Sequence, residues 1–324
     1  MKPFESFLAP RLEEFVAYRH NLGYSKKALI SHLKMFDRYL VEQKARSDSL
    51  TPLFFLKLRA NLKKQPSTLN KIFQAARGFF NFMIRQGLWE ENPLQDIPAL
   101  AEKAFLPFVF SKQQVDQLLA AVCKKIRKSH KYFLKDYGVY LTMVLLVRCG
   151  MRISEPLRLL RHHYRRDEAT LYIEKTKFKK DRLIPVLKAV AEQIDNYLTA
   201  RNSLLDDDQN PHLIAGVKQN PPSEQRIRYV FHQAVKDIGL DQNIDPIPNT
   251  TFGPPTPHSL RHAFAINTLN AVKQRGQSAQ YALPILADYM GHSQYIFTAK
   301  YLKVLDADHR QKLMHFTTLH HDDS

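Results

Sequence analysis

The chain has 324 residues and carries 48 Lys and Arg against 31 Asp and Glu, a formal net charge of +17. That length accommodates two domains with their own cores, and an apolar content of 44% excludes disorder as the default state. The positive excess points to a polyanionic partner, foremost nucleic acid. Two cysteines, Cys123 and Cys149, offer neither a disulfide framework nor a zinc spacing.

The N-terminus, Met1 to Ser6, has no apolar signal core, and the longest apolar run, near Val139–Val147, is too short to span a bilayer, so a cytoplasmic location is expected. The first hundred residues read as helical. Leu29, Leu33, Phe36 and Leu40 recur at three- and four-residue steps within Ser25–Gln43, and Leu69, Ile72, Ala76, Phe79, Phe80 and Met83 do the same. Shorter helices fit Arg11–His20 and Pro52–Asn61, and Gly23, Pro52, Pro66 and Gly87 punctuate a four-helix unit. Between Arg19 and Arg85 there are 14 Lys or Arg against three acids, Asp37, Glu42 and Asp48, a one-signed excess over a whole small domain.

An acidic, proline-punctuated stretch, Glu90 to Pro98, breaks this pattern. The expected division is a helical domain at 1–88, a linker at 89–109 and a larger domain at 110–324. Ser111 with Gln114 has the form of a capping box, followed by the apolar face Val115, Leu118, Leu119 and Val122. Tyr137, Leu141, Val144, Leu145 and Arg148 form a stripe on a helix that Gly150 terminates. Thr170–Glu174 and Arg182–Val186 flank a lysine-rich turn and predict a β-hairpin. Helices are expected at Leu187–Arg201 and Ser223–Ile238, a loop at Asn243–Pro257, and interrupted helices from about Ser259 to the C-terminus. The fold class is mainly α with a small β-sheet.

Several residues of the larger domain have the chemistry for metal-free attack on a phosphodiester, although each taken alone is more often structural. Arg152 sits at a turn between two helices, where a planar guanidinium can project into a cleft and grip two oxygens. Glu155 either pins Arg152 by a salt bridge or caps its own helix. His258 and Arg261, at i and i+3, share a helical face. His262 completes an i, i+4 histidine pair, but the glutamate of the zinc-protease motif is missing and Arg261 repels a cation, so no metal is expected. His292 follows Gly291, and Tyr301 lies nine residues on in a helical segment, either as core or as nucleophile. Lys177 in the hairpin turn can protonate a leaving oxygen.

In combination, Gly150-Met-Arg-Ile-Ser-Glu155, Thr176-Lys177 before Arg182-Leu-Ile-Pro185, His258-Ser-Leu-Arg-His-Ala-Phe264 and Tyr289-Met-Gly-His292 with Tyr301 resemble the motifs of the tyrosine recombinases, the phage-type integrases. The resemblance implies a two-domain DNA clamp, with a helical core-binding domain and an α+β catalytic domain. It implies a site-specific recombinase that cleaves and rejoins DNA through a 3′-phosphotyrosyl link, integrating or excising a mobile element. By this resemblance Tyr301 is the nucleophile, Arg152 and Arg261 hold the non-bridging oxygens, His258 handles protons, His292 hydrogen-bonds the phosphate and Lys177 is the acid.

No ATP, metal or other cofactor is implied. The implied partner is double-stranded DNA with inverted-repeat core sites. The implied assembly is a homo-tetramer on DNA in synapsis, monomeric or dimeric when free, at the bacterial nucleoid. The other readings are an inactive DNA-binding or architectural protein that kept the clamp, and strand nicking in the manner of type IB topoisomerases. Three features depart from the pattern. The hairpin turn holds four lysines, Lys175, Lys177, Lys179 and Lys180, so the choice of Lys177 rests on the resemblance. Asn270–Leu286 is longer than the usual turn, which resembles a mobile-element subgroup, and Tyr295 is a nearer tyrosine to His292. No arm-binding domain is expected ahead of the helical domain.

Overall fold

The computed structural model describes residues 4–102, 104–174, 181–206, 208–216, 220–241, 250–292 and 298–299. The chain divides into two units, Met1–Lys103 and Ala104–Ser324, and the division falls inside the 89–109 stretch read as a linker.

Unit 1 contains α1 (Ala9–Asn21), α2 (Lys26–Glu42), α3 (Pro52–Asn61) and α4 (Pro66–Arg85). Prolines in the first turn open α1, α3 and α4, where the missing N–H has no intrahelical acceptor to lose. The residues at helical spacing are the ones that bury: Leu33, Phe36 and Leu40 from α2 meet Ile72, Ala76, Phe79 and Phe80 from α4. The core is aromatic. Phe55 meets Phe80 edge-on at 5.7 Å and Phe79 meets Phe80 at 5.3 Å, contacts worth about 0.5–1.5 kcal/mol each beyond the area buried.

After α4 the chain folds back onto this unit. Leu94 and Ile97 join the core, and Arg77 donates to the carbonyls of both. Asp37, one of the three acids of the basic stretch, is buried and accepts the backbone N–H groups of Glu5 and Ser6. A groove of about 580 Å³ between α1, α2 and α4 is lined by Arg19, His32, Lys71, Gln74 and Arg85.

Unit 2 runs β1 (Ala104–Leu106), α5 (Lys112–Lys124), α6 (His130–Arg148), β2 (Tyr164–Arg165), β3 (Thr170–Ile173), β4 (Arg182–Pro185), α7 (Lys188–Leu204), α8 (Glu224–Asp237), β5 (Thr250–Phe252), α9 (Pro257–Gln274) and α10 (Ala279–Met290). The capping box at Ser111 forms, with Gln114 N–H on the Ser111 hydroxyl at 3.1 Å and Ser111 N–H on the Gln114 side chain at 2.9 Å. The hairpin forms with Ile173 opposite Arg182 and Leu171 opposite Ile184, and β2 adds a third antiparallel strand. A separate parallel pair, β1 with β5, lies in stretches expected to be linker and loop. The long Asn270–Leu286 stretch is the end of α9, a turn and most of α10.

The C-terminal half of α6 is apolar nearly all round, with Val139, Leu141, Met143, Val144, Leu145, Leu146 and Val147 all buried. A helix of that kind sits at the centre of a core, and α5, α7, α8 and α9 pack around it. It ends at Gly150, whose φ of +57° is left-handed. A Cβ on Gly150 would lie 2.3 Å from the ring of Phe264 on α9. Gly150→Ala therefore combines left-handed backbone strain with a steric clash. It should lower the stability of the protein by about 2–4 kcal/mol, read by chemical denaturation; a loss under 1 kcal/mol would contradict the close approach of α9 to this turn.

Candidate active site

The turn after α6 is organised by Glu155, whose side chain is fully buried. Arg152 Nη1 donates to Glu155 Oε1 at 2.8 Å, and the Arg152 backbone N–H donates to Oε2 at 2.8 Å. Of the two roles left open by the sequence Glu155 takes the first, pinning the guanidinium; its side chain makes no capping bond to the turn that follows. Arg182 approaches the same carboxylate, with Nη1 3.2 Å from Oε1 and Nη2 2.9 Å from Oε2. Burial alone would raise the Glu155 pKa. The Arg182 hydrogen bond and charge, the Arg152 N–H and the Arg261 charge outweigh it and hold the group at about 2. The helix expected to begin after Ser154 is a single 3₁₀ turn, Pro156–Arg158. Leu159 leaves it in extended backbone, and its carbonyl accepts the Leu213 N–H.

The second half of the site is the C-terminal turn of α10. Gly291 caps the helix at φ +65°, with its N–H on Asp288 O and the His292 N–H on Ala287 O. This is a Schellman motif. Three arginines take carbonyls of the same turn. Arg182 Nε donates to Tyr289 O at 2.9 Å, Arg261 Nη2 to Met290 O at 2.5 Å, and Arg152 Nη2 to Gly291 O at 2.9 Å. Cations are favoured there because terminal carbonyls lack intrahelical partners and carry the negative end of the helix dipole. Arg261, buried on α9, also donates Nη1 to Gly150 O at 2.6 Å, tying the first turn to the second. Three guanidiniums therefore surround one carboxylate, and the cluster retains a positive excess.

His292 leaves this turn with Nδ1 2.7 Å from the hydroxyl of the buried Thr298. Its pKa is pushed down to about 3, by burial first and then by Arg261, Arg152, His258 and Arg182. His258 is exposed in the first turn of α9 and its ring meets that of His262 edge-on at 4.6 Å. Burial, then His258 and Arg261, lower His262 to about 4. Among the described residues no group of three His, Cys, Asp or Glu is placed to hold a metal ion.

The structure thus gathers Arg152, Arg261 and His292 at one helix terminus, with His258 close enough for its charge to bear on His292. Lys177 and Tyr301 lie outside the described residues, as does Tyr295. Arg182 and Thr298 belong to the cluster and were not read from the sequence as site residues. The one signal for Arg182 was an arginine opening a strand beside the lysine turn.

The model of the phage integrase family matches residues 109–308. The putative integrase/recombinase y4rE of Sinorhizobium fredii is 27% identical over 313 residues, covering 93% of each chain. A tyrosine recombinase of Pseudothermotoga lettingae is 25% identical over 287 residues, covering 87% of each. Two solved structures share the fold: a lambda integrase tetramer bound to a Holliday junction (TM-score 0.65, 16% identity, 91% of this chain and 76% of that one) and the XerH recombinase in a post-cleavage complex on palindromic difH (TM-score 0.65, 18% identity, 90% and 80%).

The shifted groups make stability depend on pH. Glu155 is depressed to about 2 from an unfolded value near ~4.3, so its ion pairs stabilise fully above that value and fail as pH falls through 2. His262 and His292, depressed to about 4 and 3, stay neutral in the fold while the unfolded chain takes up protons below pH ~6.5. Falling pH therefore removes stability from about 6.5 downward. The melting temperature should decline between pH 6.5 and 4, less steeply in His262→Asn, and a flat wild-type profile over that window would refute the assignment. At pH 7, Glu155→Gln should cost about 3–5 kcal/mol, because it leaves the guanidiniums without their counter-charge.

Proposed function

The chain belongs to the phage integrase family and is a tyrosine recombinase, an enzyme that breaks and rejoins DNA strands in site-specific recombination; on that premise we propose that Tyr301 is its nucleophile and that Arg152, Arg261 and His292 bind the scissile phosphate. The observation that carries this reading is the convergence of Arg152, Arg261 and His292 on the terminal turn of α10, within a cluster whose one carboxylate, Glu155, leaves an excess of positive charge.

A phosphodiester brings one negative charge to that cluster, and the pentacoordinate state formed on attack places more charge on the non-bridging oxygens, where fixed cations stabilise it most. His292 is neutral near pH 7. In the tautomer in which the Thr298 hydroxyl donates to Nδ1, the proton resides on Nε2, and that nitrogen becomes the donor to a phosphate oxygen. In the proposed step the Tyr301 hydroxyl gives its proton to His258, its oxygen bonds to phosphorus, the bond from phosphorus to the 5′-oxygen breaks, and Lys177 protonates the departing oxygen. The 3′-phosphotyrosyl link conserves the bond energy. A 5′-hydroxyl from a partner duplex reverses the step and completes strand exchange.

The basic groove of unit 1, with Arg19, Lys71 and Arg85, suits a phosphate backbone. The proposed substrate is double-stranded DNA with inverted-repeat core sites in a mobile element. Four copies act in synapsis, in keeping with the tetrameric lambda integrase neighbour, and the transposon Tn1549 integrase neighbour supports the mobile-element assignment. The proposed compartment is the bacterial cytoplasm, at the nucleoid, and no described helix is long and apolar enough to cross a membrane.

The test begins by recovering the site as DNA bound covalently to the wild-type protein. A duplex of that sequence, nicked beside the cleavage position, should trap a covalent adduct that Tyr301→Phe abolishes. An adduct that survives in Tyr301→Phe and disappears in Tyr295→Phe would reassign the nucleophile. Arg152→Ala should slow adduct formation by about 10²–10³-fold, as expected on losing one transition-state donor. No adduct from any DNA would favour the architectural reading, and relaxation of supercoiled plasmid without strand exchange would favour the topoisomerase one. DNA binding should also weaken steeply from 50 to 200 mM salt through counterion release; a flat response would contradict a basic binding surface.

A further inference from the structure

We propose that Arg182 is a positioning residue for strand cleavage, acting through Glu155 and the α10 terminus to orient Arg152 and His292 without itself touching the phosphate. The inference rests on the proposed roles of Arg152 and His292.

Arg182 faces inward. Its side chain is 9% exposed against 19% for Arg152, its Nε is held by Tyr289 O, and its two terminal nitrogens span both oxygens of Glu155. A carboxylate gripped from one side only can rotate. Glu155 is gripped by Arg152 on one side and by the Arg182 fork on the other. The plane of the carboxylate is thereby set, and with it the direction of the Arg152 guanidinium. A lysine ammonium is a single point of charge and cannot make this three-point attachment.

The same side chain fixes the turn that carries His292. The guanidinium lies against Gly291, where a Cβ would stand 2.9 Å from Arg182 Nη1 and 3.2 Å from its Cδ and Cζ. Strand β4 is thus tied to Tyr289 at both ends: Arg182 Nε bonds the Tyr289 carbonyl, and the Tyr289 hydroxyl donates to Pro185 O at 3.2 Å. One residue therefore connects the hairpin strand, the turn of Arg152 and the helix end before His292. Misplacing such groups by an ångström can cost on the order of 10²-fold in rate.

The experiment compares single-turnover adduct formation on two nicked duplexes of the recovered site. One is the ordinary phosphodiester; the other has a methylphosphonate at the scissile position, in which a neutral methyl replaces one charged oxygen. A defect in the cationic clamp is relieved when that charge is removed, whereas a general loss of structure is not. Arg182→Gln should bind DNA within about threefold of wild type, cleave the phosphodiester roughly 10–100-fold more slowly, and recover to within a few-fold on the methylphosphonate. Arg182→Lys should fall between, and it decides by the same ratio if Arg182→Gln does not fold. Rates within threefold of wild type on both substrates, or equal slowing on both with an unchanged melting temperature, would overturn the inference. Arg152→Ala is the reference: if it too shows no relief, the clamp reading falls, and if it is relieved while Arg182→Gln is not, only the role of Arg182 falls.

Discussion

The burial of one carboxylate among three guanidiniums is the constraint on which the rest of unit 2 is arranged. Taking Glu155 out of water costs several kcal/mol unless its oxygens are satisfied. Arg152 and Arg182 satisfy them with charge-assisted bonds. Yet one carboxylate cannot neutralise three cations. The remainder is stabilised by carbonyl dipoles, since Tyr289, Met290 and Gly291 each present an oxygen to a different arginine. Dipoles reduce the cost of holding the cations together without cancelling their charge. The cluster is stable before any substrate arrives and still attracts an anion.

That arrangement requires four distant segments to meet, and two glycines make the meeting possible. Gly150 ends α6 in left-handed backbone with no room for a side chain beneath Phe264, and its carbonyl is an anchor for Arg261. Gly291 ends α10 in the same conformation against the face of Arg182. Tyr289 secures the junction from the other side. Its ring stacks on Phe264 at 5.5 Å and its hydroxyl bonds the end of β4. Packing and polar bonding are therefore not separable here: the rings that fill the core also hold the backbone atoms that the arginines read.

Local periodicity exposed the helices of unit 1 because their apolar faces are one-sided, as in α4. It also found α6 and its end at Gly150, but not β1 and β5, which are three residues each and pair with one another over a long separation in sequence. The site divides in the same way. His258 with Arg261 was legible because a helix turn sets their spacing, and Arg152 because glycine and glutamate bracket it. Arg182 was not, since its partners lie 27 and 107 residues away and nothing local announces them. Thr298 escaped notice as well, because nothing in the sequence announces that its hydroxyl meets His292.

The electrostatics of His292 tie the resting state to the occupied one. Its ring is buried beside arginines, and both effects disfavour a proton, so the DNA-free site holds a neutral imidazole. A fourth cation, on His292, would only add to the repulsion among Arg152, Arg182 and Arg261. At the proposed site a phosphate would offset part of that positive excess, which favours hydrogen bonds donated from the ring and raises its affinity for a proton. The imidazole therefore suits both the resting and the proposed occupied state: uncharged when the arginines face one another, and a donor if an anion stands between them.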